Sequence, residues 1–197
     1  MQDQASEVPQ SGAQSPATAG GRWSRVARRI RVPLGFIFAV VYVWLARPTR
    51  TSLIVGALVL VPGLVLRGVA SGHLQKDKEL TTGGPYAYTR NPLYLGSLVL
   101  GAGFAIAARS WWIVAIMLLM FVVIYIPVIA GEERYLRQTF PEYDDYFRHV
   151  PRMWPRLSPY GSGHSAYSFA RYWKHREYEA SIGCLVVLAV LVVKLVW

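Results

Sequence analysis

The residues best able to do chemistry sit in two pieces of the chain. Residues 81–96 read TTGGPYAYTRNPLYLG, a glycine- and proline-rich loop carrying Tyr86, Arg90, Asn91 and Tyr94 into an apolar run. Proline suits the first helical turn, where its missing N–H is not needed, so Pro92 predicts a helix start with Arg90 and Asn91 just outside it. A helix N-terminus offers unpaired N–H groups and a partial positive charge, which would receive a carboxylate. The second piece is Glu132-Glu133, at the end of a long apolar run. The helix dipole opposes two carboxylates there and a lipid boundary solvates them poorly, so an inert span has no use for them. Further on, Arg152 offers a planar guanidinium that can grip a carboxylate or phosphate head group bidentately. No metal site is expected.

These pieces need elements to position them, and the apolar residues supply candidates. The 197 residues are 53% hydrophobic and only 16% charged, with mean hydropathy +0.28, whereas soluble domains are roughly one-quarter charged. The apolar residues cluster in five blocks, 33–46, 51–66, 92–108, 111–130 and 180–197. That clustering is the transmembrane pattern, although the first three blocks fall short of the roughly 20 residues of a straight span. The expectation is an all-α, polytopic membrane bundle of five helices, one membrane domain over residues 22–197. Residues 1–21 are rich in Gln, Ser, Ala, Gly and Pro and read as a disordered tail. Residues 22–31 alternate arginines with apolar residues, an interfacial lead-in to the first span. The polar stretch 67–84 reads as a connection, and 167–178 as an interface-lying helix mixing aromatic and basic residues. Kinks are expected at Pro62-Gly63 and at Pro127.

Net charge is +10, but its distribution points to a bilayer rather than nucleic acid. With five crossings and an inside N-terminus, 17 of the 21 Lys and Arg residues fall on the cytoplasmic side, leaving Arg47, Arg50, Arg109 and Lys194 opposite. This satisfies the positive-inside rule and places the motif on the cytoplasmic face. No basic-aromatic module for nucleic acid is present. Cys184 is the only cysteine and lies in an apolar block, where it reads as a small apolar residue.

The two pieces together, GPYAYTRNPLYLG and then EERYLRQTFPEYDDYFRHVPR, resemble the isoprenylcysteine carboxyl methyltransferase family and its relatives, the membrane phospholipid methyltransferases. The resemblance covers about residues 73–155. It implies S-adenosylmethionine bound at the cytoplasmic membrane face, with Tyr86, Arg90, Asn91, Pro92 and Tyr94 in the pocket wall and Glu132 as the carboxylate that holds the cofactor. Lys78 and Leu80 fall in the approach segment, and His73 matches a position further upstream. Glu133 is expected to assist Glu132 or to orient Arg90, and Glu133 and Arg152 are the candidates for the catalytic side of the site. Two departures stand out. Asn91 replaces the histidine of the eukaryotic isoprenylcysteine enzymes, so this position cannot act as a general base. Val128 stands where those enzymes carry an arginine for the substrate carboxylate.

The expected reaction is methyl transfer to a lipophilic acceptor that enters sideways from the bilayer. In-line displacement at a sulfonium draws mainly on positioning and water exclusion, which a polar loop at a membrane edge can supply. The competing readings are an NADPH-dependent membrane reductase of the related sterol-reductase type and a non-enzymatic membrane scaffold.

Overall fold

A computed structural model describes residues 22–75, 79–161 and 165–197; the expected tail 1–21 and Lys78 lie outside the described residues. Among those described, the regular structure is all helical, with no strand. Helix α1 (Arg22–Leu45) is followed by α2 (Arg50–His73), a 3-10 turn (Gly84–Ala87) and α3 (Pro92–Ala108). Then come α4 (Trp111–Met120), a π-turn (Phe121–Tyr125), α5 (Ile126–Thr139), α6 (Tyr143–His149), α7 (Phe169–Lys174) and α8 (Tyr178–Val196).

Among the described residues, three helices are long and apolar enough to cross a membrane: Arg50–His73, Trp111–Thr139 and Tyr178–Val196. The apolar part of α1 (Pro33–Leu45) and α3 are shorter. The five expected blocks are therefore all helices, of unequal length. The lead-in and the first block form one helix that continues through Pro33. The second block does not stop at Leu66: α2 runs on to His73, so the start of the expected polar connection is helical. Large apolar side chains such as Phe36, Ile37, Trp44, Leu58 and Leu185 remain 60–77% exposed on the outer faces. Water would penalise that surface heavily, and lipid would not.

Helices α2 and α3 make the closest packing in the bundle, and glycine is the reason. A Cβ on Gly56 would lie 2.7 Å from the Gly103 carbonyl oxygen, and one on Gly103 would lie 2.9 Å from the Gly56 oxygen. Seven residues further on, a Cβ on Gly63 would lie 3.0 Å from the Leu100 backbone nitrogen, and one on Gly96 would lie 3.1 Å from the Gly63 oxygen. Small residues repeated on facing helices let two backbones touch, which is how helices associate where lipid removes the hydrophobic drive. This antiparallel register puts Arg67 level with the start of α3, one to two turns below the end of α2.

The far end of the bundle is closed by polar groups that satisfy helix termini. Thr49 and Ser52 form a capping box at the start of α2, each side chain accepting from the other's backbone N–H at 3.2 and 2.9 Å. The Tyr42 hydroxyl donates to the Phe104 carbonyl at 2.9 Å, and the Arg47 N–H donates to the Ala108 carbonyl at 2.8 Å. Lys194 donates to the carbonyls of Val43 and Trp44 at the end of α1, a cation at a helix C-terminus.

The π-turn sits directly before Pro127, where the sequence predicts a kink. Proline has no N–H to return to the preceding turn, and the helix answers by widening, with the Ile126 N–H donating to the Phe121 carbonyl.

The glycine seam gives a contrast to test. Gly56→Ala should cost about 1–3 kcal/mol through overpacking, lowering the unfolding temperature in detergent by several degrees. Gly183→Ala on α8, with nothing within 4 Å, should be neutral or slightly stabilising. Equal effects from the two would remove the seam argument.

Candidate functional site

The site is built by zipping the first motif piece to the last. Three consecutive residues ahead of α3 bond to the backbone of 151–153. The Thr89 hydroxyl donates to the Arg152 carbonyl at 3.1 Å, the Arg90 N–H to the Pro151 carbonyl at 3.0 Å, and the Asn91 side-chain amide to the Arg152 carbonyl at 3.0 Å. The Arg156 and Tyr160 N–H groups return to the carbonyls of Tyr88 and Ala87, and the Tyr146 hydroxyl donates to the Tyr86 carbonyl at 2.8 Å. Two separate motifs thus form one hydrogen-bonded layer, because a loop with no regular structure must find partners for its buried polar groups. Burial drives the phenols of Tyr86 and Tyr146 well above the ordinary tyrosine range, with nearby Tyr146 and Tyr143 respectively adding to it. Tyr143 is pushed up to about 12, by burial first and then by the charge of Glu133. These tyrosines stay protonated, and Tyr146 uses its proton on the Tyr86 carbonyl.

The two glutamates of α5 take different roles. The Glu133 side chain, 9% exposed, sits between two guanidinium groups: Arg152 forks onto both of its oxygens, and Arg90 Nη2 lies 3.4 Å from Oε1. Arg90 is also buried, at 8% exposure, and lies over the Phe147 ring at 4.0 Å. Glu132, one position earlier and so about 100° around the helix, accepts from the Tyr94 hydroxyl at 3.0 Å. Tyr94 in turn meets Tyr125 edge-on at 5.9 Å.

A cavity of about 550 Å³ lies at the start of α3, within the roughly 300–1,000 Å³ typical of ligand sites. Tyr86, Arg90, Asn91, Pro92, Tyr94 and Glu132 all line it, six of the residues singled out from sequence. The first turn of α3 opens on this space with Pro92 at its start and no side-chain cap from Asn91, which leaves N–H donors for a ligand. Arg90 Nε and Nη1 are buried without a hydrogen-bond partner.

The remaining expected residues are placed elsewhere. Glu133 and Arg152 do not line the cavity, and Arg152 is engaged with Glu133 rather than open to an acidic head group. Leu80 packs on the Tyr143–Tyr146–Val150 cluster. His73 borders Gly84, whose φ of +58° only glycine adopts easily, and meets Tyr167 edge-on at 5.8 Å. Sequence reasoning missed three wall residues in particular: Tyr125 beside the π-turn, and Arg67 with Glu177. A charged residue embedded in an apolar helix was the signal for Arg67; no local pattern marks Glu177.

Comparison with known proteins bears on the same segment. Residues 64–143 match the model of the phospholipid methyltransferase family, a stretch that includes every sequence-expected residue lining the cavity. The chain is 41% identical over 88 residues to the nickel-cobalt-cadmium resistance protein NccN of Alcaligenes xylosoxydans xylosoxydans, covering 45% of this chain and 41% of that protein. It is 38% identical over 86 residues to the cobalt-zinc-cadmium resistance protein CzcN of Cupriavidus metallidurans, covering 44% of this chain and 40% of that protein. The matches thus span about two-fifths of the length of these relatives. No solved structure matches the chain.

The glutamate pair predicts an asymmetry. Removing one partner of a buried ion pair costs about 3–5 kcal/mol, so Glu133→Gln should lower stability by about 3 kcal/mol in thermal or denaturant unfolding. Glu132→Gln should stay close to wild type. The reverse order would contradict the placement of Glu133 in the ion-pair cluster and Glu132 at the cavity wall.

Proposed function

We propose that this chain is an integral membrane methyltransferase that binds S-adenosylmethionine in the cavity at the start of α3 and transfers its methyl group to a lipophilic acceptor. One observation carries the reading: Tyr86, Arg90, Asn91, Pro92 and Tyr94 from one motif meet Glu132 from the other around a single cavity, inside the stretch that matches the methyltransferase family.

The residues present fit this cofactor. The uncapped first turn of α3 and the unpartnered nitrogens of Arg90 suit a carboxylate or other acceptor-rich group. Glu132, steadied by Tyr94, suits an ammonium or sulfonium. Tyr86, Tyr94 and Tyr125 provide aromatic faces that attract cations and stack on planar rings. When bound, the cofactor supplies an electrophilic methyl group on sulfur. The chain holds the partners in line, keeps water out through its buried aromatic layer, and sets a fixed carboxylate near positive charge. Asn91, committed to the Arg152 carbonyl, plays no part in proton transfer. With the Lys and Arg excess at the site end, the cavity faces the cytoplasm. An acceptor with a long apolar tail reaches the site from the bilayer, its tail remaining among the helices.

The names of the relatives speak of resistance to divalent metals. Among the described residues no three His, Cys, Asp or Glu side chains are grouped to hold a metal ion.

Calorimetry in nanodiscs tests the cofactor. S-adenosylmethionine should bind, and Glu132→Ala and Tyr94→Phe should weaken it at least tenfold, the effect of losing about 1.4 kcal/mol. Binding of NADPH instead would favour a reductase, and binding of neither a scaffold. Methyl-tritiated cofactor incubated with a membrane lipid extract should label lipid; label confined to water-soluble products would reject a lipophilic acceptor.

A further inference from the structure

The part of the chain beyond the family match forms a wall of the same cavity, and it does so through a single ion pair. Glu177, just ahead of α8, accepts from Arg67 Nε at 3.1 Å and from Nη2 at 2.7 Å. The side chains are 11% and 22% exposed, and both residues line the cavity. The third nitrogen of Arg67, Nη1, donates to Ser97 Oγ at 2.5 Å and reaches the Leu93 carbonyl at 3.5 Å. Its stem crosses α3 at Gly96, where a Cβ would come within 2.6 Å of Arg67 Cγ. One guanidinium thereby joins α2, α3 and the turn before α8.

Glu177 is placed there by a strap that caps α2. The Ser168 N–H and Arg171 Nε both donate to the Gly72 carbonyl, at 2.9 and 2.8 Å, and His175 Nδ1 donates to the Ser71 carbonyl at 3.0 Å. These are orphan carbonyls of a helix C-terminus, met by donors from another segment. The strap needs close access, and the Tyr167 ring occupies the space that a Gly72 side chain would fill.

Depth gives the pair its meaning. Arg67 lies inside the span Arg50–His73, six residues or roughly 9 Å from its site-side end. Ser97 lies one turn into α3. An ionisable pair below the rim of a helical bundle is expensive to desolvate and marks ligand paths in membrane proteins. Arg90 and Asn91 line the cavity from the loop ahead of α3, whereas Arg67 and Ser97 line it from within α2 and α3 and Glu177 from the turn before α8.

We propose that Arg67 and Glu177 are the positioning pair for the acceptor, fixing the wall against which its head group is held and thereby selecting it. This rests on the methyltransferase reading above. Arg67 commits its three nitrogens to Glu177, Ser97 and Leu93, so it acts as the brace. Glu177 presents the carboxylate edge that a hydrogen-bond-donating head group meets.

The test uses Glu177→Gln, Glu177→Asp and Arg67→Lys in the full chain, reconstituted in nanodiscs. Methyl-tritiated S-adenosylmethionine and a total membrane lipid extract serve as probes, with label resolved by head-group class on thin-layer plates. Glu177→Gln and Arg67→Lys should lose at least tenfold of the label and shift its distribution among classes. Glu177→Asp should retain at least a third, and S-adenosylhomocysteine affinity should stay within threefold of wild type in all three. If Glu177→Gln does not fold, the Arg67→Lys and Glu177→Asp results decide. Unchanged incorporation and distribution would overturn the proposal alone, as would a parallel fall in S-adenosylhomocysteine affinity. A wild-type protein that transfers no label would overturn the underlying methyltransferase reading and this proposal with it.

Discussion

One carboxylate holds the site together. Glu133 sits buried between Arg90 and Arg152, and these three residues belong to the loop before α3, to α5, and to the segment after α6. A charge in so dry a place is tolerable only when paired and well bonded. Each of the three segments is therefore obliged to stay where the others are. The consequence reaches the next residue along. With Glu133 turned into the protein, helix geometry turns Glu132 toward the cavity, where Tyr94 meets it. The doubled glutamate is thus a division of labour, one side chain committed to an ion-pair cluster and its neighbour presented to the cavity.

The rest of the bundle supports that arrangement from below. The glycines of α2 and α3 bring two backbones into contact, so α3 begins beneath the end of α2 rather than level with it. The loop carrying Arg90 and Asn91 accordingly drops toward the membrane, and the cavity opens beside helical walls. The π-turn before Pro127 brings Tyr125 against Tyr94. The polar caps at the opposite end fix the register of α1, α2 and α3 at a distance from the chemistry.

Much of this was legible in the sequence because the signals were local. Pro92 marks a helix start, and α3 begins there. The apolar blocks are helices, and the residues of the first motif gather with Glu132 around one cavity. What escaped was set by long-range geometry. Arg152 looks like a free guanidinium until folding brings Glu133 to it. Arg67 looks like a loop residue until α2 is seen to continue to His73. Glu177 lies 110 residues from Arg67, and no periodicity or spacing links them. His73 and Leu80 were near the right place in the chain, but their packing partners turn them to Tyr167 and to the Tyr143 cluster.

The central claim is that the two motif pieces form one cofactor pocket, and photochemical labelling addresses it directly. Ultraviolet irradiation of the nanodisc-embedded protein with methyl-tritiated S-adenosylmethionine, followed by peptide mapping, locates the bound ligand. The account predicts label on peptides carrying Tyr86, Tyr94 or Tyr125, the aromatic wall of the cavity, and its loss in excess S-adenosylhomocysteine. Label elsewhere, or label that the competitor does not remove, would contradict it.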